Sequence, residues 1–240
     1  MSKQKGSTFK RTTTGAVHSQ VLQFPGEGRK ETVDKSPLFG KTKNQEAYLN
    51  AIYNSQLVFA TGPAGVGKTY LATAAAAAEL MSRSIDKIVI TRPAVEAGEN
   101  LGFLPGELEE KFDPYLQPFR DVLNRRLGRS FTDYLLQNGQ IEATPLAYLR
   151  GRTFRNSLVI LDEAQNTTPA QMKMFLTRIG EDCTTIVNGD PRQSDIKGPS
   201  GLVDAMNRLR KLPSVRIIEF GREDIVRSGL VQQIVEAYED

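Results

Sequence analysis

Residues 62 to 69 read GPAGVGKT, three glycines leading into a lysine and a threonine. This type and spacing suits one chemistry, the cradling of a polyphosphate. The glycines let backbone N–H groups turn inward at phosphate oxygens, and a helix starting at Lys68 would add the positive end of its dipole. Lys68 would neutralise the β- and γ-phosphates, and the Thr69 hydroxyl would ligate Mg²⁺. The expected nucleotide-binding set is therefore Gly62, Pro63, Ala64, Gly65, Val66, Gly67, Lys68 and Thr69, with Tyr70 directly after. The plain alternative is a glycine-rich turn between strand and helix that holds nothing.

Phosphoryl chemistry also needs a metal carboxylate and a group to activate or orient water. The run SLVILDEA supplies both at the end of an apolar strand. Asp162 is read as the Mg²⁺-side acid and Glu163 as the general base or water-orienting group. Two consecutive acids repel each other unless a cation or partner is present, although a helix N-cap followed by a first-turn acid would leave the same pattern. A third stretch, CTTIVNGDPRQSD, ends another apolar run in a turn carrying Asp190 and Gln193. Gln193 could hydrogen-bond the γ-phosphate or the attacking water, whereas Gly189-Asp190-Pro191 is explained by turn chemistry alone.

These groups must be held by a scaffold, and the chain alternates short apolar runs with amphipathic ones from Lys43 onward. Strands are predicted at 57–61, 87–91, 141–144, 157–162, 183–190 and 215–220. Helices are predicted at 44–53, 68–83, 169–179, 201–211 and 223–237, with a helical region at 104–138 broken at Pro105, Pro114 and Pro118. Apolar strands separated by helices indicate an α/β fold with a mostly parallel sheet covered by helices on both faces. Such sheets bind ligands at the carboxyl ends of their strands.

The 240 residues, 39% hydrophobic and 25% charged, suit one main globular domain. No stretch approaches the roughly 18 to 20 apolar residues that span a bilayer, and the start MSKQKGSTFKRTTTG lacks the apolar core of a signal peptide. A cytoplasmic location without membrane association is expected. One cysteine, Cys183, and one histidine, His18, leave no cluster of soft metal ligands. Cys183 opens an apolar run and is expected to be a buried thiol, and His18 a solvated residue. Residues 1–43 hold nine Lys or Arg against three acids, so basic charge is concentrated there. Residues 1–36 are expected to form a basic, mostly flexible arm, either a nucleic-acid contact or a solubilising tail, and 37–240 the domain.

The chain resembles the PhoH family of ATPases of bacteria and their phages. The resemblance is carried by GPAGVGKT, RPAVEAGENLGFLPG at 92–106, LDEAQNTTPAQMKMFLTRIG at 161–180, NGDPRQSD at 188–195 and the ending VRSGLVQQIVEAYE, in that order from about Leu38. It implies a fold similar to the first RecA-like domain of superfamily 1 helicases, with ATP and Mg²⁺ as cofactors and a bacterial or phage-infected cell as the setting. Asp162 to Gln165 then stands for the second nucleotide motif and Gly189 to Gln193 for the γ-phosphate-sensing motif. Gln45 resembles the helicase glutamine that reads adenine, although an exposed helical glutamine fits as well. Longer family members carry an extra nuclease-like or RNA-binding domain for which this chain shows no sequence, so ribonuclease activity is not transferred.

One RecA-like domain leaves the γ-phosphate open on one side. A homo-oligomer, such as a hexameric ring, could close it with an arginine, and Arg222 and Arg227 beyond the last strand are the candidates. Residues 92–128 fall where related helicases contact nucleic acid. There Arg92, Arg125, Arg126 and Arg129 offer basic charge, which Glu107, Glu109 and Glu110 could equally balance on a solvated helix face. Three functions fit: an oligomeric ATPase remodelling or translocating along RNA or single-stranded DNA, a P-loop phosphotransferase, and a nucleotide-dependent switch acting on protein partners.

Overall fold

The computed structural model describes residues 33–93 and 108–226, with backbone only for 108–115. Six strands form one parallel sheet: β1 (Leu57–Thr61), β2 (Lys87–Arg92), β3 (Ile141–Pro145), β4 (Ser157–Leu161), β5 (Cys183–Gly189) and β6 (Val215–Glu219), in the order β3-β2-β4-β5-β1-β6. Helices α1 (Lys43–Asn54), α2 (Lys68–Met81), α3 (Leu108–Leu127), α4 (Arg129–Gln137), α5 (Pro169–Leu176) and α6 (Gly201–Leu209) connect them. The architecture is the α/β, RecA-like one expected, and every strand pair is parallel.

Successive strand side chains point to opposite faces, so one apolar run feeds two cores. On β4, Leu158 and Ile160 pack with α1, α2 and α3, while Val159 and Leu161 pack with α5 and α6. Buried Ala72 and Ala74 to Ala77 seat α2 close against the sheet, which brings the first turn of that helix near the strand ends.

Two helix expectations are corrected. The chain does not break at Pro114 or Pro118; α3 runs through both, and the interruption falls at Gly128. An interior proline costs about 3 kcal/mol, but Phe119 and Leu123, 0% and 2% exposed, each contribute about 1.5–3 kcal/mol by burial. Packing outweighs propensity here. Pro105 lies outside the described residues. The last helix does not begin at Glu223, because Arg222–Asp224 is a single 3-10 turn and Ile225 is extended; the remainder of that prediction lies outside the described residues. Cys183 is buried and hydrogen-bonded to Thr185 and Ser157, and burial pushes its thiol upward.

Candidate active site

Strand register brings the chemistry together. Thr61 pairs with Gly189, Leu161 with Val187, and Thr91 with Leu161, so the residues that follow, Gly62, Asp190, Asp162 and Arg92, emerge along one edge of the sheet. β5 lies between β1 and β4, which puts the turn carrying Gln193 between the Gly62–Thr69 loop and the Asp162-Glu163 pair.

The loop needs glycine at two points. Gly67 sits at the N-terminus of α2 in left-handed backbone, φ 88°, and no side chain caps the helix there. The first N–H groups of α2 are thus left to face the loop. At Gly62, φ 144°, a Cβ would stand 2.5 Å from the Phe220 carbonyl oxygen. Lys68 folds back on its own loop, donating from Nζ to the carbonyl oxygens of Gly62 (2.6 Å) and Pro63 (2.9 Å). Burial pushes the Lys68 ammonium below its ordinary value, against the upward pull of Asp190, Asp162 and Glu163. Val66 is buried in the core, so only its backbone faces the loop.

Lys68, Thr69, Asp162, Glu163, Asp190 and Gln193 line one cavity of about 290 Å³. Thr69 Oγ1 lies 3.2 and 3.3 Å from the two Asp162 oxygens. Arg92 donates to Asp162 Oδ2 at 2.6 Å with both side chains largely buried. Glu163 is exposed and has left-handed backbone at φ 55°. Neither acid caps a helix: Glu163 precedes the Ala164–Asn166 turn without a side-chain cap, and α5 is capped by Thr168 and Gln171.

Gln165 entered the sequence reading only as the last residue of the second nucleotide motif, without a role of its own, yet it joins two of the motifs. Its Nε2 donates to Glu163 Oε2 at 2.7 Å, and its Oε1 accepts from the Asp190 N–H at 3.0 Å. The Ser194 hydroxyl donates to the Gln165 carbonyl oxygen, and Asn166 accepts from the Asp195 N–H. The turn bearing exposed Gln193 is thereby stapled to the turn bearing Glu163. Arg92 as the partner of Asp162 was also missed; the signal available was its position directly after a strand.

A second cavity of about 400 Å³ flanks the loop, walled by Phe39, Lys41, Gln45, Tyr70 and Arg126 among others. Gln45 is not an exposed helical residue. It is buried, accepting from the Lys41 N–H (2.7 Å) and donating to the Val66 carbonyl oxygen (2.9 Å), and so braces the loop. Arg125 and Arg126 pair with Asp34, and Arg126 also donates to the Ser36 carbonyl oxygen; Arg129 is exposed. The side chains of Glu107, Glu109 and Glu110 lie outside the described residues.

Arg222 is exposed on the turn after β6 and lines a third cavity, of about 600 Å³, with Gly62, Pro63 and Asp190. That turn is clasped by Asp224, which accepts from Thr42 (2.5 Å), Asn44 (2.7 Å) and the Gly221 N–H (3.0 Å). These hydrogen bonds hold the Asp224 carboxyl below the ordinary value although burial opposes them. The Val226 N–H donates to the Gly65 carbonyl oxygen. Arg227 and His18 lie outside the described residues.

Among the described residues, no group of three or more His, Cys, Asp or Glu side chains could hold a metal, and no helix is long and apolar enough to cross a membrane. The oxygens of Thr69 and Asp162 nevertheless fit Mg²⁺. Cis oxygen ligands of an octahedral site with bonds of about 2.0–2.1 Å stand roughly 3 Å apart, and Mg²⁺ takes its remaining ligands from phosphate and water.

Against solved structures, the large terminase of a thermophilic bacteriophage matches with a TM-score of 0.51 at 12% identity, covering 83% of this chain and 50% of that one, a likeness of fold alone. The fold and the loop at its strand ends define a nucleotide-binding domain of the P-loop class. A protein named PhoH from Escherichia coli (strain K12) is 53% identical over 231 residues, 95% of this chain and 65% of its own length. A PhoH-like protein from Bacillus subtilis (strain 168) is 53% identical over 201 residues, 83% of this chain and 63% of its own length. The family model for PhoH-like protein matches residues 37–239, and the chain belongs to that family, spanning just under two thirds of the length of these relatives.

Proposed function

We propose that this protein hydrolyses ATP with Mg²⁺ as a homo-oligomer in the bacterial cytoplasm, coupling turnover to RNA or single-stranded DNA. The observation that carries hydrolysis is the single cavity lined by Lys68, Thr69, Asp162, Glu163 and Gln193 at the ends of β1, β4 and β5. Lys68 leaves its loop carbonyls for the β- and γ-phosphate oxygens, whose charge it offsets. Thr69 and Asp162 would hold Mg²⁺, which would supply further charge neutralisation to the phosphates. Glu163 takes a proton from water and Gln193 orients that water, the two held in step by Gln165. The base extends into the flanking cavity beside Tyr70, with Gln45 bracing the loop. A hydrolytic reading is favoured over phosphotransfer because Glu163 is exposed to water at the cavity mouth.

Assembly follows from the open side of the γ-phosphate, where Arg222 or Arg227 of the same or a neighbouring copy would offset developing charge. Nucleic-acid coupling rests on the basic charge of residues 1–36, proposed as an arm outside the 37–240 domain. Steady-state ATPase assays with and without RNA or single-stranded DNA test the whole reading. Parent turnover should rise with one of them, and Lys68→Ala should be inactive. Turnover of Lys68→Ala within about threefold of the parent would remove the loop from the mechanism.

A further inference from the structure

We propose that Arg92 is a positioning residue that competes with the divalent cation for Asp162: its guanidinium holds the carboxylate in the metal-free protein and moves into the neighbouring acid-lined cavity when the cation takes that place. The inference rests on the reading of Asp162 as the cation's acid.

Asp162 Oδ2 is shared. Arg92 approaches it at 2.6 Å and the Thr69 hydroxyl at 3.2 Å. The pair is 14% and 4% exposed, so the arginine stands in the space where a cation bound by Thr69 and Asp162 would sit, or within a few ångströms of it. Like charges at that separation, poorly screened by water, repel. That repulsion favours release of the arginine when a cation shares the same carboxylate.

The present seat of Arg92 is also incomplete. Its guanidinium lies over the buried Phe119 ring, 5.2 Å from the centroid, a favourable cation–π contact. Its Nε is buried without a hydrogen-bond partner, as is the hydroxyl of the preceding Thr91. A buried unsatisfied donor is costly, so this seat satisfies the charge of the arginine but not its hydrogen-bonding capacity.

A second seat is adjacent. Arg92 lines a cavity of about 460 Å³ together with Glu163, Gln165, Asn166, Gln193 and Asp195. Two carboxylates there can receive a guanidinium, and Glu163 and Gln193 also line the proposed phosphate cavity. Because Arg92 ends β2 and precedes Pro93, its backbone is confined to extended conformations; the exchange is a side-chain rotation. Cation arrival at Asp162 would then deliver a positive charge to the side of the site where Glu163 and Gln193 act.

Mn²⁺ serves as the probe, titrated into the full-length chain with ADP and read as free Mn²⁺ by EPR. Arg92→Gln should bind Mn²⁺ about tenfold more tightly than the parent, since the competitor for Asp162 is gone. Arg92→Lys should fall between them, because it keeps the charge but loses the planar fork. The difference should persist at high salt, since a contact competitor is screened far less than a remote charge. In the parent, the ¹⁵Nε resonance of Arg92 should shift when Mg²⁺ is added with ADP, and not in Asp162→Asn. Unchanged Mn²⁺ affinity in both Arg92 variants, or an unmoved resonance, would overturn the exchange while Asp162→Asn still weakens Mn²⁺. Should Asp162→Asn leave Mn²⁺ binding intact, the cation reading itself falls, and this proposal with it.

Discussion

Replacing Gln165 by Glu isolates the bridge between the two motif turns. The wild-type side chain donates to Glu163 from Nε2 and accepts from the Asp190 N–H on Oε1. Gln165→Glu keeps the acceptor and nearly the same shape, but turns the donor into a second carboxylate oxygen facing Glu163. Two unit charges about 4 Å apart repel by about 1 kcal/mol in bulk water and about 4 kcal/mol near a protein surface, so keeping both facing carboxylates ionised in the variant costs energy in that range. Glu163 is exposed while Gln165 is buried, which favours the lower part of that range. A general base must be unprotonated to act, and a proton shared between the two facing carboxylates relieves their repulsion, so the acidic limb of the kcat profile moves to higher pH in Gln165→Glu. The assay is kcat against pH under saturating ATP, beside Gln165→Ala as control. That variant deprives the buried Asp190 N–H of its acceptor, at about 1–3 kcal/mol, and should lower Tm without introducing a charge. An acidic limb in Gln165→Glu that coincides with the parent's would refute the bridge or the role of Glu163 as base.

Glu163→Gln should retain ATP binding, measured by equilibrium titration, while kcat falls by roughly 10²-fold or more; loss of binding along with turnover would make Glu163 structural. Glu142 on β3 is held down to about 2 by hydrogen bonds from Arg152 and Lys87. A depressed carboxylate contributes stability above its unfolded value and loses it as pH falls. The Tm gap between the parent and Glu142→Gln should therefore be constant near neutrality and close between about pH 4.5 and about pH 2. Deleting residues 1–32, which keeps the Asp34 and Ser36 contacts to Arg125 and Arg126, should preserve basal ATPase and reduce the salt dependence of nucleic-acid binding; an unchanged slope would make the arm a solubilising tail. Mixing inactive Arg222→Ala or Arg227→Ala subunits with inactive Lys68→Ala subunits should restore part of the activity if that arginine acts in trans, whereas constant specific activity of a sedimenting monomer would exclude assembly.

The strands were legible because their signal is local. SLVIL is one serine and four apolar residues bounded by Asn156 and Asp162, and β4 occupies those five positions. The Gly62–Thr69 loop was legible for the same reason, a pattern within eight residues flanked by strand and helix. α3 was misjudged because Pro114 and Pro118 are local signals, while the burial of Phe119 that overrides them depends on a distant sheet. Arg92 and Asp162 lie seventy residues apart, and their pairing requires that β2 and β4 be neighbours in register, which composition and periodicity do not encode. The bridging role of Gln165 was hidden in the same way, since its reach to Asp190 follows from β5 lying beside β4. Gln45 could be read as base-reading or solvent-exposed, and only the packing of α1 beneath the loop shows it spent on backbone.

The clasp at Asp224 has a mechanical consequence. It ties the turn after β6 to the start of α1, and two residues further on the Val226 N–H holds the Gly65 carbonyl oxygen. Tension applied at Val226 is therefore felt at the phosphate loop through that hydrogen bond. Working the other way, any shift of Gly65 as phosphate enters or leaves is passed straight to that strand of backbone. The loop and the last described segment are thus joined at Val226, and that segment is anchored in turn to the start of α1 through Asp224.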